Sequence, residues 1–556
     1  MNSFQEKLKV KAIKTTLQAL PKGLDAYDKA YEDAMTRIFS QDKDCHEVAR
    51  RALSLILCGK RPLKTQELQH ALMIESEDTE LDQDNWLEAG DILQVCAGLI
   101  TIDESSATIR FVHYTTQEYL QRTQARWLPQ AENEIARTCL DYFSLQDFAR
   151  AIHESVSGGM ESVPTKETFA LAEYAVGTGP IHWNAVVEED SSIRNRLLPL
   201  LESSETVSAV WVIAWSQRFS HHTDFGILHW ISHLGLANLA RLCLAKGMSL
   251  DSGDQDGCCP LSHAAQAGQE SVVQLLLERN ADVHHQDYFG QTPLLHAATG
   301  GHEPVVRLLL AHNAAVDSTS LDGASALSYA ARWNHNKVAR LLLEHNATVD
   351  LATKKCWTPL SYAADGGHTS MVQLLINHNA AIDSRTHFGL TPLHAASRGH
   401  EGPTQVLLER GADPNAICKQ GRTPLSYASG GGHVAVMRLL LNAFADPKLT
   451  DKSGQSPLSY AVQSGNIDAV ALLCHAIGAD IDLSESSEHS PLSCALMRVE
   501  ETDPSIRRPG RSSPDRERYQ RIAKIPVDAG RVELTASEED AGDHNVQDKC
   551  CDPIVR

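Results

Sequence analysis

At 556 residues, with 42% hydrophobic content, the chain has room for several domains with real cores. Its formal net charge of −21 argues against general affinity for nucleic acid or an anionic membrane surface. No run reaches the ~18 apolar residues that span a bilayer, and the opening MNSFQEKLKVK lacks the apolar stretch of a secretory signal.

Taken in order, residues 25–39 read as a helix with Tyr27, Tyr31, Met35 and Ile38 on one face, followed by a helix over 46–58. Thr65 is placed to cap a short helix over 65–72, with Leu68 and Leu72 inward. An acidic loop (75–84) precedes a helix over 86–96. Residues 98–103 and 108–113 then alternate like two strands around a turn at 104–107, and helix resumes over 115–121. Three helices and then a β-hairpin is winged-helix order, assigned to residues 1–125. A groove-reading helix should be basic. The candidate at 84–96 carries Asp84, Glu88 and Asp91 with no Lys or Arg, so no nucleic acid is expected.

The phrases LPKGLDAYDKAY, CGKRPLKTQELQHAL, CAGLITID and IRFVHYTTQEYL resemble the winged-helix segment of fungal NACHT-type signalling NTPases. In that family the segment follows a nucleotide-binding core and precedes repeats. The resemblance makes His113 a nucleotide sensor if a NACHT core is present, in cis or in trans; otherwise it ties the hairpin to the next helix. Tyr114 stands where the family carries an acid. No GxxxxGK[ST] string occurs, so the chain reads as a member without its phosphate loop.

Residues 126–224 read as a helical linker. Helices are expected over 131–148, 194–201 and 207–215, and a helix over 169–187 broken in two by Gly177 and Gly179-Pro180. Tyr174, Trp183, Trp211 and Trp215 are its core aromatics.

From 225 to 499 the chain repeats itself. Thr-Pro-Leu or a variant recurs with its middle residue at 260, 293, 326, 359, 392, 424, 457 and 491, a period of 33 four times and then 32, 33 and 34. Thr or Ser caps a helix, Pro fits its first turn, small residues follow, and Gly-His ends it. A second helix carries branched residues such as Val305 to Leu310, too many to bury within one unit. The pattern strongly resembles ankyrin repeats, about eight units plus a partial cap, which makes the fold mainly α: an ankyrin-repeat solenoid preceded by a winged-helix domain and a helical linker. Ala326 and Ile227 replace the proline, Asn334 replaces the helix-ending Gly, and one residue is missing before Gly399. Stacking is expected to loosen at these units.

Such arrays imply a protein partner held on hairpin tips and first-helix surfaces. Tyr288, Phe289, Trp333, Trp357, His387 and Phe388 fall at those positions. Phe289, Trp357 and Phe388 are expected along one ridge, with Trp357 in the place of a hairpin Gly. No HExxH or GxSxG occurs. The Asp251–Gly257 stretch resembles a calcium loop without its final acid and reads as a repeat hairpin, so no catalytic residue, cofactor or metal is expected. The thirteen cysteines are scattered, several within helical patterns, which reads as reduced thiols of an intracellular, cytoplasmic protein. Cys258-Cys259 lacks a zinc spacing. The tail, 500–556, has a basic run and then an acidic one and reads as disordered; the basic run doubles as a candidate nuclear-import signal.

Overall fold

A computed structural model describes residues 24–75, 80–146, 148, 169–202 and 226–477. The expected helix at 207–215, the last degenerate unit near residue 491 and the tail lie outside these residues. The chain is mainly helical and divides into two compact units, one of residues 1–330 with 337–347, the other of 331–336 with 348–556.

In the first unit, helices Leu24–Phe39 and Lys43–Cys58 precede a two-residue strand β1 (Leu63–Lys64) and helix Thr65–Met73. Strands β2 (Ile100–Asp103) and β3 (Thr108–Phe111) pair antiparallel, Ile100 opposite Phe111, and β1 adds to β3 in the order β1-β3-β2. Thr65 does not cap its helix. It is the first helical residue, and its hydroxyl donates to the Ala107 carbonyl in the wing turn. The start is held by the buried Glu67 carboxylate, which accepts the Lys64 N–H at 2.8 Å and both arms of Arg61. Arg51 closes the other end by donating to the carbonyls of Ala71, Leu72 and Ile74. The expected 86–96 helix is shorter, Ala89–Val95.

The linker helix Ala172–Val186 runs unbroken through Pro180. Gly179 is a close approach rather than a stop: a Cβ there would lie 3.2 Å from the Cys139 Cβ of helix Ala131–Ser144. Trp183 packs on Phe143 and donates its indole N–H to Ala136. Asn184 then caps helix Ala237–Ala245 from outside, its side-chain oxygen accepting from Asn238 and Leu239. One continuous apolar core therefore runs from Ala34 through the linker to Cys243.

From Ile227 the chain becomes paired helices. Pro260–Ala267 with Glu270–Glu278 and Pro293–Gly300 with Glu303–Ala311 are typical of the first unit; Pro359–Asp365 with Thr369–Asn377 and Pro424–Gly430 with Val434–Asn442, of the second. Thr358, Thr423 and Ser456 accept from the backbone three residues on, and Pro follows each in the first turn. Asn334 takes the left-handed conformation (φ 60°) that Gly268 and Gly301 take elsewhere. The Gly-His histidines stitch neighbours: His302 bonds the Gln266 carbonyl, and His368 that of Arg332. The deletion before Gly399 leaves a first helix of five residues, Pro392–Ala396.

Candidate functional site

Each hairpin tip is fixed by its own backbone. Asp287 accepts the N–H groups of Phe289 and Gln291 on one carboxylate oxygen, and Gly290 turns the chain at φ 71°. Tips also bond to one another: Tyr288 N–H to Asp256 and Leu321 N–H to Phe289 in the first unit, His387 N–H to Lys355 and Lys419 N–H to Phe388 in the second. Backbone groups so satisfied leave the tip side chains free to point outward. Tyr288 is 70% exposed and Phe289 56%, while His387 and Phe388 are exposed and their rings touch. Trp333 is exposed just past helix Ala326–Arg332, with the Arg332 guanidinium over its ring.

Trp357 departs from expectation. The left-handed Gly position of its hairpin belongs to Cys356 (φ 59°), and Trp357 lies one residue further in, where Gln291 and Leu390 lie in other hairpins. Its backbone closes the turn with Thr353 and its ring packs on Tyr362, leaving it buried at 9% exposure. With Trp357 buried, the expected ridge loses its middle ring.

Beneath the tips the same three positions meet at successive junctions: the residue before one cap, the first hairpin residue of the next unit, and the fifth residue from that unit's cap. Arg422, Asp451 and Tyr460 meet so in the second unit, with Arg422 donating to the Tyr460 oxygen at 2.7 Å and Tyr460 to Asp451 at 2.5 Å. In the first unit the three are Cys258, Asp287 and His296. Burial pushes the Cys258 thiol up, and the Asp254 and Asp287 carboxylates add to it. Burial acts upward on Asp287 too, but the His296 bond and the turn N–H groups outweigh it and hold its carboxyl low. His394 is the odd residue of the second unit, standing where Ser361 and Ser426 stand. Its Nδ1 accepts from Thr391, its Nε2 donates to the Arg422 carbonyl, and burial pushes it down to about 4.

His113 ends the wing. Its carbonyl accepts from Thr116 at the start of helix Tyr114–Trp127, and its exposed imidazole makes no capping bond. The backbone, not the ring, joins wing to helix. Among the described residues no helix is long and apolar enough to cross a membrane.

The profile described as "Ankyrin repeats (3 copies)" matches residues 204–287, 280–354, 348–418 and 404–485. The chain belongs to the ankyrin-repeat family, whose arrays are protein–protein interaction scaffolds. Residues 36–157 match the winged helix domain of GPI inositol-deacylase, which agrees with the helix–wing order above. The crystal structure of the human ASB11 ankyrin repeat domain matches at 26% identity and a TM-score of 0.37, covering 40% of this chain and 100% of that one. No curated protein matches the chain in sequence.

Proposed function

We propose that the chain is a non-enzymatic scaffold that holds a partner protein on its hairpin tips. The division behind this reading is a winged helix over 1–125, a helical linker over 126–224, the array over 225–499 and a tail over 500–556. The observation that carries it is the Tyr288–Phe289 pair, two large exposed rings on adjacent residues of a tip whose backbone is already satisfied. Rigid aromatics held this way lose little entropy on contact, which is why such residues anchor interfaces. Trp333, His387 and Phe388 are candidate contacts within the second unit; Trp357 is not. Affinity capture with the full chain should retain a partner. Replacing Tyr288 and Phe289 together with Ala should weaken that partner by about 2–4 kcal/mol if either is a hot spot. Unchanged capture by a folded double variant would put the site elsewhere.

A second reading is the sensor half of a NACHT signalling ATPase, in the manner of innate-immunity or self/non-self recognition. The winged-helix match and the exposed ring of His113 favour it. An in-frame phosphate-loop motif upstream in the transcript would establish this reading over the first. The purified 556-residue chain should neither retain nor hydrolyse ATP, and stoichiometric bound nucleotide would count against the scaffold reading.

A further inference from the structure

The first-unit junction differs from its relatives in donor chemistry. The position before the cap is Gln291, Ala324, Trp357, Leu390, Arg422 and Gln455 in later units, and a thiol only at Cys258. The fifth position is Tyr329, Tyr362, Tyr427 and Tyr460 in four later units, and imidazole at His296. Together with Asp287 they place sulfur, oxygen and nitrogen at one point, all three residues buried. The atoms are separated by 3.5 Å (Cys258 Sγ to Asp287 Oδ2), 4.0 Å (Sγ to His296 Nε2) and 3.0 Å (Nε2 to Oδ2).

A tetrahedral zinc ion about 2.3 Å from sulfur and about 2.0–2.1 Å from nitrogen and oxygen needs ligand atoms roughly 3.3–3.6 Å apart. The three edges bracket that span. The carboxylate is oriented for it as well: Oδ1 is engaged by the Phe289 and Gln291 N–H groups, which turns Oδ2 toward the thiol and the imidazole. A second pair adjoins the point, since ligand atoms of Asp254 and His263 also lie within 4.8 Å of Cys258 Sγ and of each other.

We infer that Cys258, Asp287 and His296 form a three-ligand site for a zinc-class divalent transition-metal ion, with water completing the coordination and Asp254 and His263 bonded to each other beside it. Thiolate, carboxylate and neutral imidazole carry two negative charges between them, which a dication cancels. An ion there would tie two consecutive repeats through one point, since Cys258 precedes one cap and Asp287 and His296 belong to the next unit. The ligands are 29 and 9 residues apart, which hides them from any linear metal motif.

The full-length chain, stripped with chelator under a non-coordinating reductant, is titrated with cobalt(II) and followed by absorption. One ion per chain with a thiolate-to-cobalt charge-transfer band, displaced by zinc, is expected. Cys258→Ser and His296→Tyr should each abolish the band, and Cys259→Ser, whose thiol meets Ser262 instead, should keep it. His296→Tyr installs the side chain that later units already fold around, so it decides the question should Cys258→Ser fail to fold. No thiolate band in the wild type, or a band that survives either ligand substitution, would overturn the site.

Discussion

The block of residues 24–202 and the repeat array bury polar groups by opposite strategies. In the block the charged ones take partners met once in the chain. Arg51 takes three carbonyls at a helix end, Glu67 takes Arg61 and a backbone N–H, and Glu132 takes His182 and Lys60. Burial pushes Glu132 upward, but His182 and Lys60 outweigh it and hold it down at about 2. In the array one backbone position serves in unit after unit, and only the side chain changes. Damage in the block should therefore spread through its shared core, while damage in the array should stay near its own unit.

The largest expected effect tests the block. Trp183→Ala removes a buried ring packed on Phe143 together with its indole bond to the Ala136 carbonyl, and should cost about 3–5 kcal/mol. Denaturant unfolding followed at several block sites should shift together; a shift confined to the linker helix would break the comparison. In the array, Trp357→Ala should cost about 3 kcal/mol through the lost packing on Tyr362. Hydrogen exchange should quicken mainly over 348–390. An unchanged stability would mean that the ring is not held in the core after all.

The array was legible in the sequence because each local rule recurs: Thr358, Pro359 and Gly367 say the same thing as their counterparts a period away. Trp357 was misplaced by one residue because Cys356 supplies the positive φ that a Gly normally signals. In the block, residues such as Thr65 and Gly179-Pro180 carry strong local signals that tertiary packing overrides. Glu67 reaches the helix start before Thr65 can, and Cys139 gives Gly179 a reason to sit inside a helix. A two-residue strand such as β1 has no periodicity to read. The Cys258, Asp287 and His296 cluster emerges only when successive units are superposed.

The next effect depends on pH. His394 has a folded-state pKa lowered from 6.5 to about 4, chiefly by burial, and Nδ1 must stay unprotonated to accept from Thr391. Between those values the unfolded chain binds the proton and the folded one does not. Stability therefore rises with pH through this window and falls as pH drops from 6.5 toward 4, by up to about 3 kcal/mol below it. His394→Ser, the residue of Ser361 and Ser426, should flatten that part of the stability curve. Equal acid sensitivity in wild type and variant would remove His394 as the cause.

The smallest effect sharpens the idea that array positions are interchangeable. After the second helices from Ala237–Ala245 to Val434–Asn442 one residue sits left-handed: Gly247, Asn280, Asn313, Asn346, Asn379, Gly411, and then Phe444 at φ 64° with 88% of its surface exposed. Asn and Gly tolerate that conformation, whereas a bulky side chain crowds its own carbonyl there at a cost of roughly 1 kcal/mol. The backbone holds Phe444 in place regardless, with its N–H on Leu441 and its carbonyl taken by Asn415. Phe444→Asn should therefore stabilise the second unit by about 0.5–1 kcal/mol. Phe444→Ala keeps the Cβ and hence most of the strain, so it should gain clearly less. If thermal unfolding shows Ala gaining as much as Asn, the benefit comes from losing an exposed ring rather than from relieving the backbone, and the positions are not equivalent in the way the repeat implies.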